Sequence, residues 1–196
     1  MSKFKGKKTD NGPKLAKKTL REIALNGIQS PSVLEFFCGS GESFRAVWHR
    51  AKNYTGVDLK AFDDERNTIC GNVVDIAKTI DVDKYNIFDL DAYGSPYTVL
   101  DILSKRIKNY DKIAFVVTDG ICIDLRMGNV CSGVQSLTGL KNRRLGRANV
   151  LHYEIIRKII GTVAQRLNGV VSGFKIATGV TGAKVKYYVF FIERKK

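Results

Sequence analysis

The sequence predicts an α/β fold built on a mainly parallel sheet that ends in an antiparallel hairpin. The first observation is an apolar run at residues 33–37, followed by a turn of small residues at 38–41 and by helical apolar positions. Glycines let a backbone approach a ligand closely, and a helix N-terminus offers free N–H groups, so this order is typical of a nucleotide-binding unit. The second observation is the alternation of strand-like and helix-like segments up to residue 117, which favours parallel strands flanked by helices. The third is a pair of strand-like runs at 170–178 and 185–192, close enough to allow only a hairpin.

Residues 13–27 begin the domain as a predicted helix. Pro13 suits a first helical turn and Gly27 a helix end. Its apolar stripe consists of Leu15, Leu20, Ile23 and Ala24. The cations expected outside that stripe are Lys14, Lys17, Lys18 and Arg21. The later elements follow in chain order: strands at 54–58, 68–73, 85–90 and 113–117, a turn or short helix at 61–67, and helices near 44–48, 74–80, 97–108 and 150–167.

Residues 120–147 interrupt this alternation. The segment contains five glycines and ends in a basic cluster formed by Lys141, Arg143, Arg144 and Arg147. A connection of this length is usually functional or mobile. We expect it to contact the substrate, with the basic cluster binding nucleic acid; a disordered surface loop with solvated charges is the alternative.

The charge of the chain indicates a polyanionic partner. The net charge is +14 and the isoelectric point is near 9.7. A basic surface of this size favours nucleic acid over a membrane surface. Residues 1–12 are predicted to be a flexible, lysine-rich tail suited to a phosphate backbone, although a tail that only adds solubility has the same composition. Residues 13–196 are long enough for one domain with a full core.

Several other classes of function find no support. The N-terminus lacks the apolar stretch of a signal peptide, and no run approaches the length of a membrane span, so we expect a cytoplasmic protein without a membrane partner. The four cysteines are scattered without a CxxC pair, and the two histidines are isolated. This spacing does not predict a metal site.

The turn at residues 38–41 differs from two common nucleotide-binding motifs. A dinucleotide fingerprint requires G-x-G-x-x-G, but Phe44 stands at the third glycine position, which counts against an oxidoreductase. A G-x-x-x-x-G-K-[ST] phosphate loop is also absent. Glu35, within the strand, would repel a pyrophosphate and suits a ligand ammonium. Asp58, at the end of the next strand, can accept hydrogen bonds from both hydroxyls of a ribose.

These residues resemble motifs of the S-adenosylmethionine (SAM)-dependent methyltransferases. The stretch E-F-F-C-G-S-G at 35–41 resembles their first motif, and V-D-L at 57–59 their second. The resemblance implies SAM as the cofactor and a Rossmann-like sandwich whose mainly parallel, seven-stranded sheet closes with a C-terminal antiparallel hairpin. It places the methionine part near the glycine turn, the ribose near Asp58 and the adenine near Asn72 and Asp75. The cofactor-binding residues expected on this basis are Glu35, Phe37, Gly39, Ser40, Gly41, Asp58, Asn72, Asp75 and Asp89.

The segment D-L-D-A-Y-G-S-P-Y, residues 89–97, occupies the place of the D-P-P-Y type motif of amino-methyltransferases. An exocyclic amine conjugated to a base is a poor nucleophile, and a carboxylate that accepts its N–H raises its electron density. An aromatic face beside it holds the base in line. Asp91 fits the acceptor, Tyr93 or Tyr97 the stacking group, and Pro96 completes the predicted catalytic turn.

The wider stretch resembles the D-P-F-G-S-P motif of the tRNA guanine-N2 dimethyltransferase family. The helix V-L-H-Y-E-I-I-R-K-I-I-G-T-V-A at 150–164 is similar to that family's helix containing H-E-x-x-x-R, with a one-residue shift. The order of motifs agrees over residues 33–192, which includes T-D-G at 118–120. Two departures stand out: Ala92 replaces the first proline of the motif, and the family's C-terminal RNA-binding domain has no counterpart here.

Three hypotheses follow. The leading one is a SAM-dependent nucleic-acid amino-methyltransferase, acting on guanine N2 of a tRNA-like RNA. The second is a DNA adenine-N6 or cytosine-N4 methyltransferase, which would use the same amine chemistry on a flipped base. The third is a basic nucleic-acid-binding module that keeps the fold without catalysis. A Pro-Cys nucleophile motif is absent, which disfavours methylation of cytosine C5.

Overall fold

The computed structural model describes residues 14–142, 144, 148–177 and 185–195. Their seven helices are α1 Lys14–Gly27, α2 Glu42–Ala46, α3 Val73–Thr79, α4 Tyr97–Arg106, α5 Cys122–Met127, α6 Ser132–Thr138 and α7 Ala148–Arg166. Their seven strands are β1 Ser32–Phe36, β2 Asn53–Asp58, β3 Thr68–Cys70, β4 Ile87–Leu90, β5 Lys112–Asp119, β6 Gly169–Ala177 and β7 Lys186–Arg194. Short 3₁₀ turns at Trp48–Arg50 and Val82–Lys84 precede β2 and β4.

All seven strands form one sheet in the order β3-β2-β1-β4-β5-β7-β6. The pairs among the first five strands are parallel, and β7 pairs antiparallel with both β5 and β6. The predicted mainly parallel, seven-stranded sheet with a C-terminal antiparallel hairpin is therefore confirmed. The chain runs from β1 outward to β3 and then returns to β4 on the other side of β1, and this reversal opens a crevice at the carboxyl ends of β1 and β4.

The central strands β1, β4 and β5 are buried on both faces, as their largely apolar sequences predict. Stacked rings of Phe88, Phe115 and Phe190 join β4, β5 and β7, with centroids 5.3 and 4.9 Å apart. Helices α3 to α7 cover this face. On the opposite face, α1 packs Leu20 and Ala24 into a second cluster. Helix α1 thereby packs on β4, β5, β6 and β7, and its side chains reach the carboxyl end of β4.

The alternative of a disordered surface loop at 120–147 is wrong for the first part of this segment, while its contact with the substrate stays a prediction. Residues 122–127 and 132–138 form the helices α5 and α6, and Leu125, Val134 and Leu137 are buried in the main core. Gly133 allows α6 to touch α4, since a Cβ there would lie 2.3 Å from the carbonyl of Tyr97. Short segments with few apolar residues hide a helical period, which is why the sequence pattern missed them.

Other predicted elements agree closely, with one shorter strand. β3 ends at Cys70 because Asn72 already caps α3, its side chain accepting a bond from the N–H of Val74 at 2.9 Å. The predicted tail at 1–12, Pro13 and the hairpin turn at 179–184 lie outside the described residues. Among the helices that are described, none is long and apolar enough to span a membrane.

Candidate active site

An open cleft of about 1400 Å³ lies at the carboxyl ends of β1, β2 and β4. Helices α1 and α2 form its other walls. It brings together predicted residues from three separate stretches of sequence, which are Glu35, Phe37, Gly39, Ser40, Asp58, Asp91 and Tyr93. The glycine turn and the predicted catalytic turn thus face one crevice, where ligands bind in open α/β sheets.

The glycine turn exposes its backbone to the cleft. Gly39 and Gly41 have φ values of +48° and +80°, which favour glycine, and Phe37 has +64°. The N–H of Gly39 donates to Asp58 Oδ2 at 3.0 Å, which fixes the turn against the end of β2. A Cβ on Gly39 would meet nothing within 4 Å, so this position borders open space. The conformation, rather than crowding, requires glycine here.

Arg66 supports the turn from below, and the sequence pattern did not identify it. Its guanidinium donates to the carbonyl of Gly39 at 3.0 Å and pairs with Asp64 at 2.7 Å. A Cβ on Gly41 would lie 2.8 Å from the guanidinium carbon. Arg66 stands in the irregular segment between β2 and β3, where no local pattern indicates a partner thirty residues earlier.

Glu35 is a buried acid at the floor of the cleft. It lies on β1 opposite Gly56 of β2 and Asp89 of β4. Its carboxyl accepts hydrogen bonds from the hydroxyl of Ser43 and, at 2.6 Å, from the hydroxyl of Tyr54. Burial, together with the nearby charge of Asp89, raises the pKa of Glu35 to about 8. A cation entering the cleft would favour its ionised form.

Asp91, the predicted acceptor, is held by two cations of α1. Lys17 Nζ donates to its Oδ1 at 2.6 Å, and Arg21 Nη2 donates to its Oδ2 at 2.8 Å. Burial opposes ionisation of Asp91, but the positive charges of Arg21 and Lys17 outweigh it and lower the pKa of Asp91 to about 2. Asp91 is therefore an ionised hydrogen-bond acceptor at neutral pH. The expectation that Lys17 and Arg21 lie outside on α1 is wrong, because their carboxylate partners draw both inward.

Asp89 lies beneath the cleft rather than in it. Its side chain is fully buried, and its Oδ2 accepts bonds from Arg21 Nε at 2.6 Å and from Trp48 Nε1 at 2.8 Å. Burial raises the pKa of Asp89, although Arg21 opposes the shift. Asp89 was predicted to contact the cofactor directly, but it does not line the cleft. It binds Arg21, which in turn donates to Asp91.

Two further predicted cofactor residues stand apart from the cleft lining. Asn72 caps α3 with its side chain, and Asp75 is exposed in the first turn of that helix, 3.0 Å from Lys78. Both follow β3, the strand next to β2. Gly41 is buried against Arg66. Among the predicted nucleic-acid residues, Lys141 and Arg144 are exposed and do not line the cleft, while Arg143 and Arg147 lie outside the described residues.

The predicted catalytic turn divides its two tyrosines between solvent and core. Tyr93 is 79% exposed and lines the cleft, whereas Tyr97 is completely buried. Pro96 is buried at the N-terminus of α4. Either tyrosine was a candidate for stacking on the base. The ring of Tyr97 has no exposed face, so Tyr97 cannot take that role.

Tyr97 instead belongs to a buried polar network that the sequence did not reveal. Its hydroxyl donates to Asp119 at the end of β5 and lies 3.0 Å from the hydroxyl of Tyr188 on β7. His152 Nε2, on α7, is 2.6 Å from the same carboxylate oxygen of Asp119. The N–H of Gly120 donates to the carbonyl of Gly94 at 2.8 Å. The network and this bond fix the predicted catalytic turn to β5.

No protein-family model matches the sequence, and no curated protein matches it. Solved structures do match its fold. The N-methyltransferase NodS from Bradyrhizobium japonicum, in complex with S-adenosyl-L-homocysteine (SAH), has a TM-score of 0.58 at 10% identity, with 95% of this chain and 90% of that chain covered. The plantazolicin methyltransferase BpumL, also with SAH, has a TM-score of 0.52 at 12% identity, with 92% and 84% covered.

Trm1 from Pyrococcus horikoshii in complex with SAM is a third similar structure. Its TM-score is 0.58 at 11% identity, over 92% of this chain and 54% of that chain. This chain therefore corresponds to about half of Trm1. The similarity in all three cases lies in the fold, which is the Rossmann-like sandwich of SAM-dependent methyltransferases.

Proposed function

We propose that this protein is a SAM-dependent methyltransferase that transfers a methyl group to an exocyclic amine of a nucleic-acid base, with guanine N2 of a tRNA-like RNA as the target. The observation that carries the proposal is the convergence of the glycine turn, Glu35, Asp58 and Asp91 on one cleft at the reversal of strand order. The fold shared with structures that hold SAM or SAH supports the same conclusion.

The donor side of the cleft fits SAM by its chemistry. Asp58 directs its carboxylate toward the turn, and it accepts backbone bonds from Gly39 at 3.0 Å and from Lys60 at 3.1 Å. These bonds orient the carboxylate and leave lone pairs for ribose hydroxyls. Glu35 offers a buried carboxyl to the ammonium of the methionine part. The open space beside Gly39 lets the ligand lie against the backbone.

The acceptor side is organised by Asp91. SAM supplies the methyl group, and the carboxylate of Asp91 accepts an N–H of the attacking amine and increases its electron density. With a pKa of about 2, Asp91 is a weak base, so its role is to orient and polarise the amine while the proton leaves to solvent. Tyr93 offers an exposed ring at the mouth for stacking on the base.

Nucleic acid as the substrate is supported by charge and by motif. The net charge of +14 favours a polyanion. The D-L-D-A-Y-G-S-P segment, similar to the motif of guanine-N2 dimethyltransferases, places Asp91 and Tyr93 on the same side of the cleft as α1. RNA is the preferred form because unpaired bases of RNA loops can enter the cleft without duplex opening.

The test is methyl transfer from isotopically labelled SAM to tRNA or to duplex DNA, followed by mass spectrometry of the nucleosides. We expect label in N2-methylguanosine from tRNA. Asp91→Asn, which removes the negative charge, should reduce transfer by about two orders of magnitude. Asp81→Asn is the matched control, since Asp81 is exposed before β4 at the opposite end of the strand. Label in neither substrate, or equal rates in Asp91→Asn and wild type, would contradict the proposal.

A further inference from the structure

Helix α1 lies along the mouth of the cleft. Five of its residues line the cleft, all from its first eight positions: Lys14, Leu15, Lys17, Lys18 and Arg21. Four of these are cations at i, i+3, i+4 and i+7 spacing, which places them on one helical face. This face meets the acceptor side of the cleft, because Lys17 is bonded to Asp91.

The four cations of α1 divide into two pairs with different surroundings. Lys17 and Arg21 have side chains only 13% and 6% exposed, and both are engaged by carboxylates at 2.6 to 2.8 Å. Lys14 and Lys18 have side chains 76% and 49% exposed. Their acidic neighbours Glu42 and Glu22 lie at 3.4 and 3.8 Å, and exposed pairs of this kind contribute little. Lys14 and Lys18 are therefore available to a new anion.

Arg45 extends this charge across the cleft. It lies on α2, lines the opposite wall and is exposed. Lys14, Lys18 and Arg45 together form the cationic rim of the cleft. Cations on both walls of a crevice focus its potential on an incoming polyanion.

Two exposed apolar side chains stand at the same mouth. Leu15 on α1 is 75% exposed and Tyr93 on the catalytic turn is 79% exposed, and both line the cleft. The 2.6 Å bond between Lys17 and Asp91 joins the helix that carries Leu15 to the turn that carries Tyr93. A branched apolar side chain and an aromatic ring therefore line the same cleft as the cationic rim.

We propose that α1 is the RNA-binding element of this protein: the cationic rim holds the phosphates that flank one unpaired nucleotide, and Leu15 and Tyr93 contact its base. A cationic groove with side chains that stack on bases is the arrangement that binds single-stranded nucleic acid. This proposal rests on the proposed function and deepens it, since it assigns substrate recognition to α1 rather than to the cluster at 141–147.

The experiment measures the affinity of the full chain for a fluorescent single-stranded RNA, for tRNA and for duplex DNA, at several salt concentrations. The variant K14E/K18E/R45E removes the rim. The control K78E/K84E/K112E makes the same change of net charge at lysines that do not line the cleft, each also within 3.0 to 3.4 Å of one acid. We expect the rim variant to lose more than tenfold in affinity and its salt slope to fall by about 2, at about 0.7 for each lost phosphate contact. The control should stay within threefold of wild type.

Leu15→Ala supplies an independent readout, because Leu15 is exposed and its loss does not threaten folding. It should weaken RNA binding several-fold with an unchanged salt slope. Equal losses in the rim and control variants, or tighter binding of duplex DNA than of single-stranded RNA, would overturn the inference. If wild type transfers methyl groups to tRNA but the rim variant binds RNA normally, only this inference fails. If wild type transfers none while the rim still governs RNA affinity, only the proposed function fails.

Discussion

Replacing Arg21 with methionine should destabilise the protein strongly. Arg21 is 5% exposed and bridges Asp89 and Asp91 at 2.6 and 2.8 Å. Methionine keeps much of the volume but leaves the fully buried Asp89 without its cation. Removing one partner of a buried ion pair costs about 3–5 kcal/mol, because the remaining charge stays desolvated. For a domain of this size the melting temperature should fall by roughly 10 °C.

The assay is urea unfolding followed by circular dichroism, with Arg50→Met as the control. Arg50 pairs with Glu22 at 3.5 Å with both side chains exposed, so its loss should change the free energy of unfolding by less than about 1 kcal/mol. In a double-mutant cycle with Asp89→Asn, the combined loss should be smaller than the sum of the single losses by about 1–3 kcal/mol.

The pH dependence supplies a further check with a definite sign. The pKa of Asp91 is depressed, so its stabilisation is present above its unfolded pKa and is lost as the pH falls through the folded value. Without Arg21 that stabilisation shrinks, and Asp89 takes up a proton more readily. The free energy of unfolding that Arg21→Met loses relative to wild type should therefore be largest near neutral pH and become smaller in acid. A loss below about 1 kcal/mol at neutral pH, or strict additivity in the cycle, would refute this reasoning.

Two further predictions concern the core and the floor of the cleft. Gly133→Ala should lower the free energy of unfolding by about 1–3 kcal/mol, because the new Cβ would lie 2.3 Å from backbone atoms of Tyr97. In the control Gly161→Ala, on α7, the new Cβ would have no atom within 4 Å, so this variant should be neutral or stabilising. Equal urea midpoints for the two variants would contradict the close approach of α6 to α4. The pKa of Glu35 is raised to about 8, so its contribution to stability is complete below its unfolded pKa and is lost as the pH rises through about 8. Glu35→Gln should remove that loss, so the free energy of unfolding of the variant, relative to that of wild type, should rise between about pH 5 and pH 9. If urea unfolding gives the same difference between the two proteins at every pH, the pKa of Glu35 is not raised.

Local patterns predicted well which residues of β1, the glycine turn and the end of β2 share the cleft. The apolar run of β1, the small-residue turn and Asp58 all lie within thirty residues, and each carries its own conformational or chemical signal. A positive φ needs glycine, and a carboxylate at a strand end faces the crevice of a parallel sheet. Local signals of this kind are therefore sufficient to predict that these residues share one crevice.

The electrostatic support of the site was not predictable in the same way. The sequence pattern predicts that Arg21 is a solvent-facing cation of an amphipathic helix. Arg21 is buried only because it pairs with Asp89 and Asp91, which lie about seventy residues later in the chain. Tyr97 reads as part of the catalytic turn, and its partners Asp119, His152 and Tyr188 come from three other elements. Such pairings depend on tertiary distance, which residue spacing does not encode. Asp89 and Asp91, close together at the end of one predicted strand, are the signal in the sequence that indicates cationic partners.

Calorimetric titration of the purified chain with SAM, and in parallel with SAH, measures whether this cleft binds the methyl donor. We expect one site per chain and a rise in melting temperature with ligand concentration. Asp58→Ala should weaken binding by about 10–100-fold, since hydrogen bonds to a charged group contribute about 1.5–3 kcal/mol, and Asp81→Ala should bind as wild type does. The absence of binding by either ligand, or equal affinities of Asp58→Ala and wild type, would contradict the assignment of this cleft to the methyl donor.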